Sequence, residues 1–177
     1  MNWGLGVIEG FYGHPWSWNA RHDMARFLAN AGYGFYCYAP KADQYLRKQW
    51  RSAWPLAQLG QLRQFREQCQ SLGLQWAVGL SPFEIWQDWS INNKNQLLRK
   101  LDEISQLNPD RLCILFDDMR GDWPDIGAIQ AEIANEVYTR CQIPLAICPT
   151  YYSFDPILEQ LFGPRPTAYW QQLGAQL

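Results

Sequence analysis

The feature that most constrains the fold is a regular alternation of short β-rich runs with longer amphipathic stretches. Such alternation is typical of βα units repeated around a parallel sheet. The pattern predicts five strands, at residues 4–9, 33–38, 74–80, 111–116 and 144–148. It predicts helices from about 19 to Gly32, from Pro55 to Gly73, through 97–107 and over 125–140, with last helical pieces at 154–162 and 167–177. No linker interrupts this pattern, so we expect one domain over residues 1–177.

Two architectures use repeated βα units, the open doubly wound sheet and the closed (β/α)8 barrel of TIM type. The sequence favours the barrel, because no Gly-x-Gly-x-x-Gly motif follows the first strand and polar and aromatic residues collect after each strand. The length of 177 residues opposes a whole barrel, which needs about 200 to 250 residues. We therefore predict an α/β chain of TIM-barrel type truncated to about five βα units. Three alternatives remain open: a fragment, a barrel completed by another chain, or an open sheet.

Charge and composition argue against several classes of partner. With 15 basic and 17 acidic side chains and a net charge of -2, the chain has no basic footprint for nucleic acid. No apolar run approaches the roughly 20 residues that span a bilayer, and no basic signal region opens the sequence. The 5 cysteines are odd in number and never spaced Cys-x-x-Cys, which indicates reduced thiols and a cytoplasmic location. With 2 histidines and scattered cysteines, we expect no metal site and no cofactor.

The sharpest local feature is a pair of carboxylates, Asp117 and Asp118, at the end of an apolar strand. Neighbouring residues of a strand face opposite sides, so both can enter one site only if the backbone turns there, and Gly121 is expected to allow the turn. Two carboxylates this close disfavour double ionisation, which leaves one of them protonated, as a general acid requires. The alternative, given equal weight, is that Asp118 or Asp122 caps the next helix and Asp117 is merely exposed.

Three other predicted strands end in candidate site residues. Gly10 and Gly13 flank aromatic residues after the first strand and allow a ligand to approach the backbone, although a tight aromatic turn explains them equally well. Lys41 follows the second strand, where an exposed, solvated lysine is the usual outcome. Tyr151 and Tyr152 follow the fifth strand, and we expect one to pack and the other to reach the mouth of the barrel.

Taken in order, these stretches resemble glycoside hydrolase family 84, which holds the O-GlcNAcases and bacterial β-N-acetylglucosaminidases, some of them once called hyaluronidases. The resemblance covers essentially the whole chain and corresponds to the N-terminal part of the family's catalytic barrel. The segments that carry it are 6–13 with Pro15-Trp16, Tyr38-Ala39-Pro40-Lys41, Ser81-Pro82, Leu115-Phe116-Asp117-Asp118, and Cys148-Pro149-Thr150 with Tyr152.

The resemblance implies a retaining β-N-acetylglucosaminidase in which the substrate's own 2-acetamido oxygen attacks the anomeric carbon and forms an oxazoline. This is the substrate-assisted exception to the usual scheme with two enzyme carboxylates. It implies that Asp117 orients and polarises the acetamido N–H. It also implies that Asp118 protonates the leaving oxygen and later activates water.

The resemblance also implies which residues bind substrate. Gly10, by its backbone carbonyl, and Lys41 match contacts to sugar hydroxyls. Tyr152 matches a tyrosine that lines the acetamido pocket, and Tyr12 lies near the site. The chain departs from the family at Ala42, where an acidic residue is usual, and it ends before the later strands, which bring a tryptophan, asparagines and an aspartate to the sugar.

The implied substrate is a glycoside or glycoprotein that contains N-acetylglucosamine, and no cofactor is implied. One alternative is an inactive truncated fragment, or a non-catalytic sugar-binding or structural remnant of such an enzyme. Another is a metal-dependent hydrolase that uses the two aspartates. Because an open barrel exposes two strand edges, a homo-oligomer or a completing chain is expected to supply the missing strands.

Overall fold

A computed structural model describes residues 4–175 and 177 of the chain, where strands and helices alternate. The strands are β1 (Gly6–Glu9), β2 (Phe35–Tyr38), β3 (Gln75–Leu80), β4 (Arg111–Leu115) and β5 (Leu145–Cys148). The helices are α1 (Trp18–Asn30), α2 (Leu56–Ser71), α3 (Ile91–Ser105), α4 (Ile126–Cys141), α5 (Ile157–Phe162) and α6 (Tyr169–Gly174). Short 3-10 turns at Gln44–Leu46 and Ile85–Asp88 lie in the β2–α2 and β3–α3 loops.

The predicted elements are present, with shifts at their ends. Strands β1, β2, β3 and β5 begin one or two residues later than predicted. Before β2 the reason is visible, because the backbone N–H of Tyr33 still donates to the carbonyl of Leu28 in α1 at 2.9 Å. The helix predicted at 154–162 begins only at Ile157. The helix predicted at 167–177 is observed as Tyr169–Gly174, and residue 176 lies outside the described residues.

The five strands form one parallel sheet in chain order, β1-β2-β3-β4-β5. A doubly wound sheet reverses its strand order at a switch point, whereas a (β/α) barrel adds each strand beside the previous one. The sheet curls into a half-barrel with β1 and β5 as its edges in the described part of the chain. The prediction of a TIM-type chain of about five βα units is therefore confirmed.

The two faces of the sheet carry side chains of different size. The outer face packs large residues such as Tyr36 and Trp76 into the main core beneath the helices. On the inner face, a Cβ added at Gly79 of β3 would lie 2.5 Å from the Cβ of Ala39 and 3.0 Å from Cδ1 of Leu115. The ends of β2 and β4 therefore approach each other across β3 because position 79 has no side chain. The inner cluster consists of Phe35, Cys37, Ala39, Ala77, Cys113 and Leu115.

The helices cover the outer face of the sheet with most of the apolar residues that their periodicity predicts, but Phe27 of α1 and Leu56 of α2, which also fit the apolar pattern, are exposed. Helix α1 begins after Ser17, whose hydroxyl accepts the backbone N–H of Ala20 at 3.2 Å, and α2 begins directly after Pro55. None of the helices in residues 4–175 combines the length and apolarity needed to cross a membrane. The fully buried residues of α2 and α3 include Leu62, Phe65, Cys69, Leu97 and Leu101.

Candidate active site

The C-terminal edge of the curled sheet gathers the site residues that the sequence predicts. Each of them lies in a loop that directly follows a strand. Because the strands are parallel, these loops meet at one mouth of the half-barrel, as they do in barrel enzymes. The loops after β1, β2, β4 and β5 supply, respectively, Gly10 and Tyr12, then Lys41, then Asp117 and Asp118, and finally Tyr152.

Asp117 and Asp118 enter the same site because the backbone turns at Asp118 itself. The φ angle of Asp118 is 57°, in the left-handed region, and this breaks the alternation that would send the two side chains to opposite faces. The expectation that Gly121 provides the turn is wrong. Gly121 instead permits close packing, since a Cβ there would lie 2.7 Å from the hydroxyl oxygen of Tyr151.

The alternative in which Asp118 or Asp122 caps the next helix is also wrong. The residue at the N-cap of α4 is Asp125, which makes no capping hydrogen bond through its side chain. Asp122 pairs with Arg120, whose Nε donates to Oδ1 of Asp122 at 2.9 Å. Asp118 is therefore not used for capping, and its carboxyl faces the mouth with that of its neighbour.

Lys41 joins the β2 loop to the β4 loop. Its Nζ lies 2.6 Å from Oδ2 of Asp117 and 3.3 Å from Oδ2 of Asp118. The Lys41 side chain is 3% exposed, so the expectation of a solvated lysine is wrong here. Two carboxylates offset the cost of burying the ammonium group. The positive charge of Lys41 also stabilises negative charge on either aspartate.

The two oxygens of Asp117 have different surroundings. Oδ2 accepts the hydrogen bond from Lys41. Oδ1 is buried and has no hydrogen-bond partner among the described residues. An unsatisfied buried acceptor costs about 1–3 kcal/mol. This oxygen can accept a hydrogen bond from an N–H or O–H donor that enters the mouth.

Two tyrosines flank the carboxylate pair. Tyr12 is 59% exposed and Tyr152 is 49% exposed. Partial burial raises the pKa of Tyr152, and the negative charges of Asp118 and Asp117 raise it further. Partial burial also raises the pKa of Tyr12, with Arg47 opposing the rise and Asp118 adding to it. Both phenols therefore remain protonated near neutral pH and can donate hydrogen bonds at the mouth.

A buried charge pair supports the backbone next to Gly10. Glu9 is fully buried and accepts hydrogen bonds from Arg21, from Nε at 2.9 Å and 3.1 Å and from Nη2 at 2.7 Å. The hydroxyl of Tyr36 donates to the same carboxylate at 2.6 Å, and the guanidinium lies 4.7 Å from the ring of Trp18. Because the buried charge is fully paired, the chain is fixed at the residue before Gly10.

A chain of buried hydrogen bonds fixes the backbone that leads into the carboxylate pair. The Thr150 hydroxyl donates to the carbonyl of Phe116 at 2.8 Å and accepts Nε2 of Gln130 at 2.7 Å. The Tyr169 hydroxyl donates to Oε1 of Gln130 at 2.6 Å. Thr150, Gln130 and Tyr169 are all fully buried. Since Phe116 immediately precedes Asp117, this chain ties the end of β4 to the β5 loop and to α4 and α6.

Replacing Thr150 with Val should lower the free energy of unfolding by about 1–3 kcal/mol, because the isosteric side chain leaves buried groups of Phe116 and Gln130 unpaired. Urea denaturation measures this change. Thr139→Val, on the exposed side of α4, is the matched control, and its expected change is within about 0.5 kcal/mol. Equal midpoints for the two variants would contradict the supporting role of the hydrogen-bonded chain.

Several residues that build the site were given no role by sequence analysis. They include Glu9 with Arg21, and Thr150. They also include Asp43, which accepts hydrogen bonds from Tyr38, Trp54 and Gln58 and so orders the loop after Lys41, and Arg47, which donates to the carbonyl of Asp118. Only Glu9, a carboxylate inside an apolar strand, carries a signal that sequence reasoning could have used.

The described residues offer no ready metal site. Among residues 4–175 and 177, no three His, Cys, Asp or Glu side chains come close enough to hold a metal ion together. The 5 cysteines are all free thiols. Burial, reinforced by the charge of Asp117, raises the pKa of Cys148 to about 12, so this thiol near the aspartates stays protonated.

Comparison with known proteins gives one consistent family. The family model described as beta-N-acetylglucosaminidase (NAGidase) matches residues 5–177. The chain is 30% identical over 160 residues to Protein O-GlcNAcase of Rattus norvegicus. The aligned region covers 83% of this chain and 17% of the relative. Protein O-GlcNAcase of Mus musculus gives the same values. The chain thus spans about a sixth of the length of these relatives.

Solved structures of other proteins agree with this family assignment. A mutant O-GlcNAc hydrolase from Thermobaculum terrenum matches with a TM-score of 0.82 and 29% identity, over 98% of this chain and 39% of that one. A structure named CpGH84B matches with a TM-score of 0.81 and 23% identity, over 98% of this chain and 31% of that one, which supports the fold alone. In agreement with the resemblance to family 84, the chain belongs to the β-N-acetylglucosaminidase family of glycoside hydrolases.

Proposed function

We propose that the chain carries the acid and the acetamido-orienting carboxylate of a retaining β-N-acetylglucosaminidase of O-GlcNAcase type. The observation that carries the proposal is the asymmetry of Asp117. Lys41 holds Oδ2 at 2.6 Å, while Oδ1 is a buried acceptor without a partner in the described part of the chain. The N–H of a 2-acetamido group is a donor with the right chemistry for that oxygen.

In the first step, the acetamido carbonyl oxygen of the substrate attacks the anomeric carbon as the bond to the leaving oxygen breaks. The carboxylate of Asp117 accepts the acetamido N–H and stabilises the positive charge that develops on that group. Asp118 gives its proton to the leaving oxygen. The products are an oxazoline, protonated on nitrogen and paired with Asp117, and the free alcohol.

In the second step, the carboxylate of Asp118 takes a proton from a water molecule whose oxygen attacks the anomeric carbon. The carbon–oxygen bond of the oxazoline breaks, and the acetamido group is restored. Two inversions at one carbon give net retention. No side chain of the protein forms a covalent bond with the sugar at any point.

The other predicted residues bind the sugar. Gly10, through its carbonyl, and Lys41 contact hydroxyl groups, and Tyr152 lines the pocket for the acetamido methyl. The contacts of Lys41 with both aspartates place it at the mouth and support its role in binding the sugar. The influence of the two aspartate charges on Tyr152 supports a position for Tyr152 beside the same carboxylates. Tyr12 lies at the mouth as a further donor, next to Asp118.

The proposed substrate is an N-acetylglucosamine glycoside or glycoprotein, in line with the O-GlcNAcase names of the relatives. The mechanism needs no cofactor, nucleic acid or membrane. We further expect residues 1–177 to act as a single, partial catalytic domain in the cytoplasm, which the free thiols support. A second copy or a completing chain is expected to cover the edges at β1 and β5.

Non-catalytic sugar binding is the second candidate function. It is favoured by the open sheet, since the described residues supply five strands where a closed barrel has eight. Catalysis needs the sugar held in near-attack geometry. A mouth lined from one side can bind a sugar without reaching that geometry.

The test is release of 4-nitrophenol from its β-N-acetylglucosaminide by the purified chain, with the oligomer mass recorded on the same sample. We expect turnover that Asp117→Asn lowers by about 10²–10³-fold, that EDTA leaves unchanged, and that gives the β-anomer of the sugar first. Loss with EDTA would favour the metal-dependent alternative, and the α-anomer would exclude retention. Saturable N-acetylglucosamine binding without turnover would favour the sugar-binding candidate.

A further inference from the structure

We propose that Arg47 is a positioning residue for the general acid. Its guanidinium holds the peptide group of Asp118 in the left-handed conformation that turns the Asp118 carboxyl into the mouth. This inference rests on the proposed function of Asp118 and deepens it. It assigns a specific task to a side chain that does not itself contact the reacting atoms.

Arg47 ties together the loops of the site. It lies in the β2–α2 loop and is 6% exposed. Its Nη2 donates to the carbonyl oxygen of Asp118 at 2.9 Å, and its Nη1 donates to Oγ of Ser81 at 3.2 Å. The guanidinium also lies 5.2 Å from the ring of Phe83 and 5.8 Å from the ring of Tyr12. One side chain thereby contacts the loops after β1, β3 and β4.

The charge of Arg47 is directed at a backbone carbonyl. Within residues 4–175 and 177, no carboxylate forms an ion pair with Arg47. Burying a cation without a paired anion is costly. A charge-assisted hydrogen bond is about twice as strong as a neutral one, and the rigid fork of a guanidinium fixes the direction of its two bonds. This arrangement suits a side chain whose task is to orient one peptide group.

The peptide group that Arg47 holds is strained. Asp118 has a φ angle of 57°, in the left-handed region, which a non-glycine residue adopts only at a cost in free energy. In extended backbone the Asp118 carboxyl would point to the opposite side from Asp117 and leave Lys41, now at 3.3 Å. The hydrogen bond from Arg47 stabilises the turned conformation against this relaxation.

Asp117 is held separately. The residue before it, Phe116, donates its N–H to the carbonyl of Cys148 at 2.8 Å and accepts the Thr150 hydroxyl. Asp117 is also paired with Lys41. Loss of Arg47 should therefore displace the acid and leave the acetamido-orienting carboxylate in place, so the two chemical roles should separate.

The test compares two substrates with the Arg47→Ala variant. For phenyl β-N-acetylglucosaminide, whose leaving group needs a proton, kcat/KM should fall by about 100-fold, the cost of a misplaced group. For the 2,4-dinitrophenyl substrate, whose leaving group needs none, kcat/KM, which reports only the first step, should stay near wild type. Added guanidinium ions should restore the rate with the phenyl substrate, because they fit the space left by the Arg47 side chain and can donate the same two hydrogen bonds. Methylammonium ions, which lack that geometry, should not restore it. A merely structural residue would lower both rates together and show no rescue, and that result would overturn the proposal.

Arg51→Ala is the matched control. Arg51 lies on the same loop, stacks 4.2 Å from the ring of Trp50 and donates to Asn93 at 2.8 Å. Both rates should stay unchanged in this variant. If Arg47→Ala does not fold, Arg47→Lys, which keeps the charge but loses the fork, should show the same split between substrates in milder form, and equal losses would overturn the proposal.

A spectroscopic readout separates this inference from the proposed function. In protein labelled with 13C at aspartate carbonyls, the Asp118 resonance should move upfield in Arg47→Ala and stay in place in Arg51→Ala. If the wild type hydrolyses neither substrate, the proposed function fails for this chain, and the carbonyl shift alone decides whether Arg47 holds Asp118. An unmoved resonance would overturn the positioning role.

Discussion

Replacing Asp118 with Asn should lower kcat/KM by about 10²–10⁴-fold for substrates with poor leaving groups, the range that a general acid contributes. The amide cannot give a proton to the leaving oxygen. A 2,4-dinitrophenolate leaves without protonation, so its substrate should lose far less. The measurement is the slope of log kcat/KM against the pKa of the leaving group, over 2,4-dinitrophenyl, 4-nitrophenyl, phenyl and methyl β-N-acetylglucosaminides. The slope should be steeper in the variant than in the wild type.

Asp122→Asn provides the matched control for this series. Asp122 lies four residues further along the same loop and pairs with Arg120 at the surface, where an ion pair is worth little. This variant should keep the wild-type slope and rate. An Asp118→Asn enzyme that loses the same factor for every leaving group would show that Asp118 is not the acid.

Replacing Asp117 with Asn should lower kcat/KM by about 10²–10³-fold, the effect of losing one preorganised electrostatic contact to the transition state. The loss should be the same for every leaving group, because formation of the oxazoline is impaired whether or not the leaving oxygen needs a proton. An amide at this position carries no charge to stabilise the acetamido cation. It also ends the 2.6 Å ion pair with Lys41.

Asp102→Asn tests whether this loss is specific. Asp102 accepts a hydrogen bond from Arg140 at 2.7 Å on the outer helices, and its replacement should leave the rates unchanged. Circular dichroism should show both variants folded, since the Asp117 side chain lies at a strand end and is 19% exposed. Wild-type rates in Asp117→Asn would show that Asp117 does not orient the acetamido group. If this variant did not fold, Asp117 would instead be a structural residue.

Much of the fold could be predicted from local pattern, because each strand is an apolar run and each helix repeats its apolar residues at three or four. The barrel-like strand order also agreed with prediction, which relied on the missing dinucleotide motif and on polar loops after the strands. The packing of the inner face was not predictable. Ala39 and Leu115 fill the space beside Gly79, and these three residues are far apart in the sequence.

In the site, too, the sequence identified the residues but not their contacts. The sequence motifs identified the two aspartates and Lys41, and the structure brings these three residues together. The burial of Lys41 depends on the carboxylate of Asp117, 76 residues away, and on that of Asp118 next to it, so no local pattern indicates it. The turn occurs at Asp118 rather than at a glycine, and the carbonyl of Asp118 accepts a hydrogen bond from Arg47, a distant residue that no local pattern connects to it.

The measurement that tests the account most directly varies the nucleophile that the substrate itself supplies. It follows release of 4-nitrophenol from four 4-nitrophenyl β-glucosides whose 2-acetamido methyl carries no, one, two or three fluorine atoms. Fluorine withdraws electron density from the acetamido oxygen with little change in shape. We predict that kcat/KM falls steeply with each added fluorine. A rate that does not depend on fluorination would show that the acetamido oxygen is not the nucleophile, and would contradict substrate-assisted catalysis.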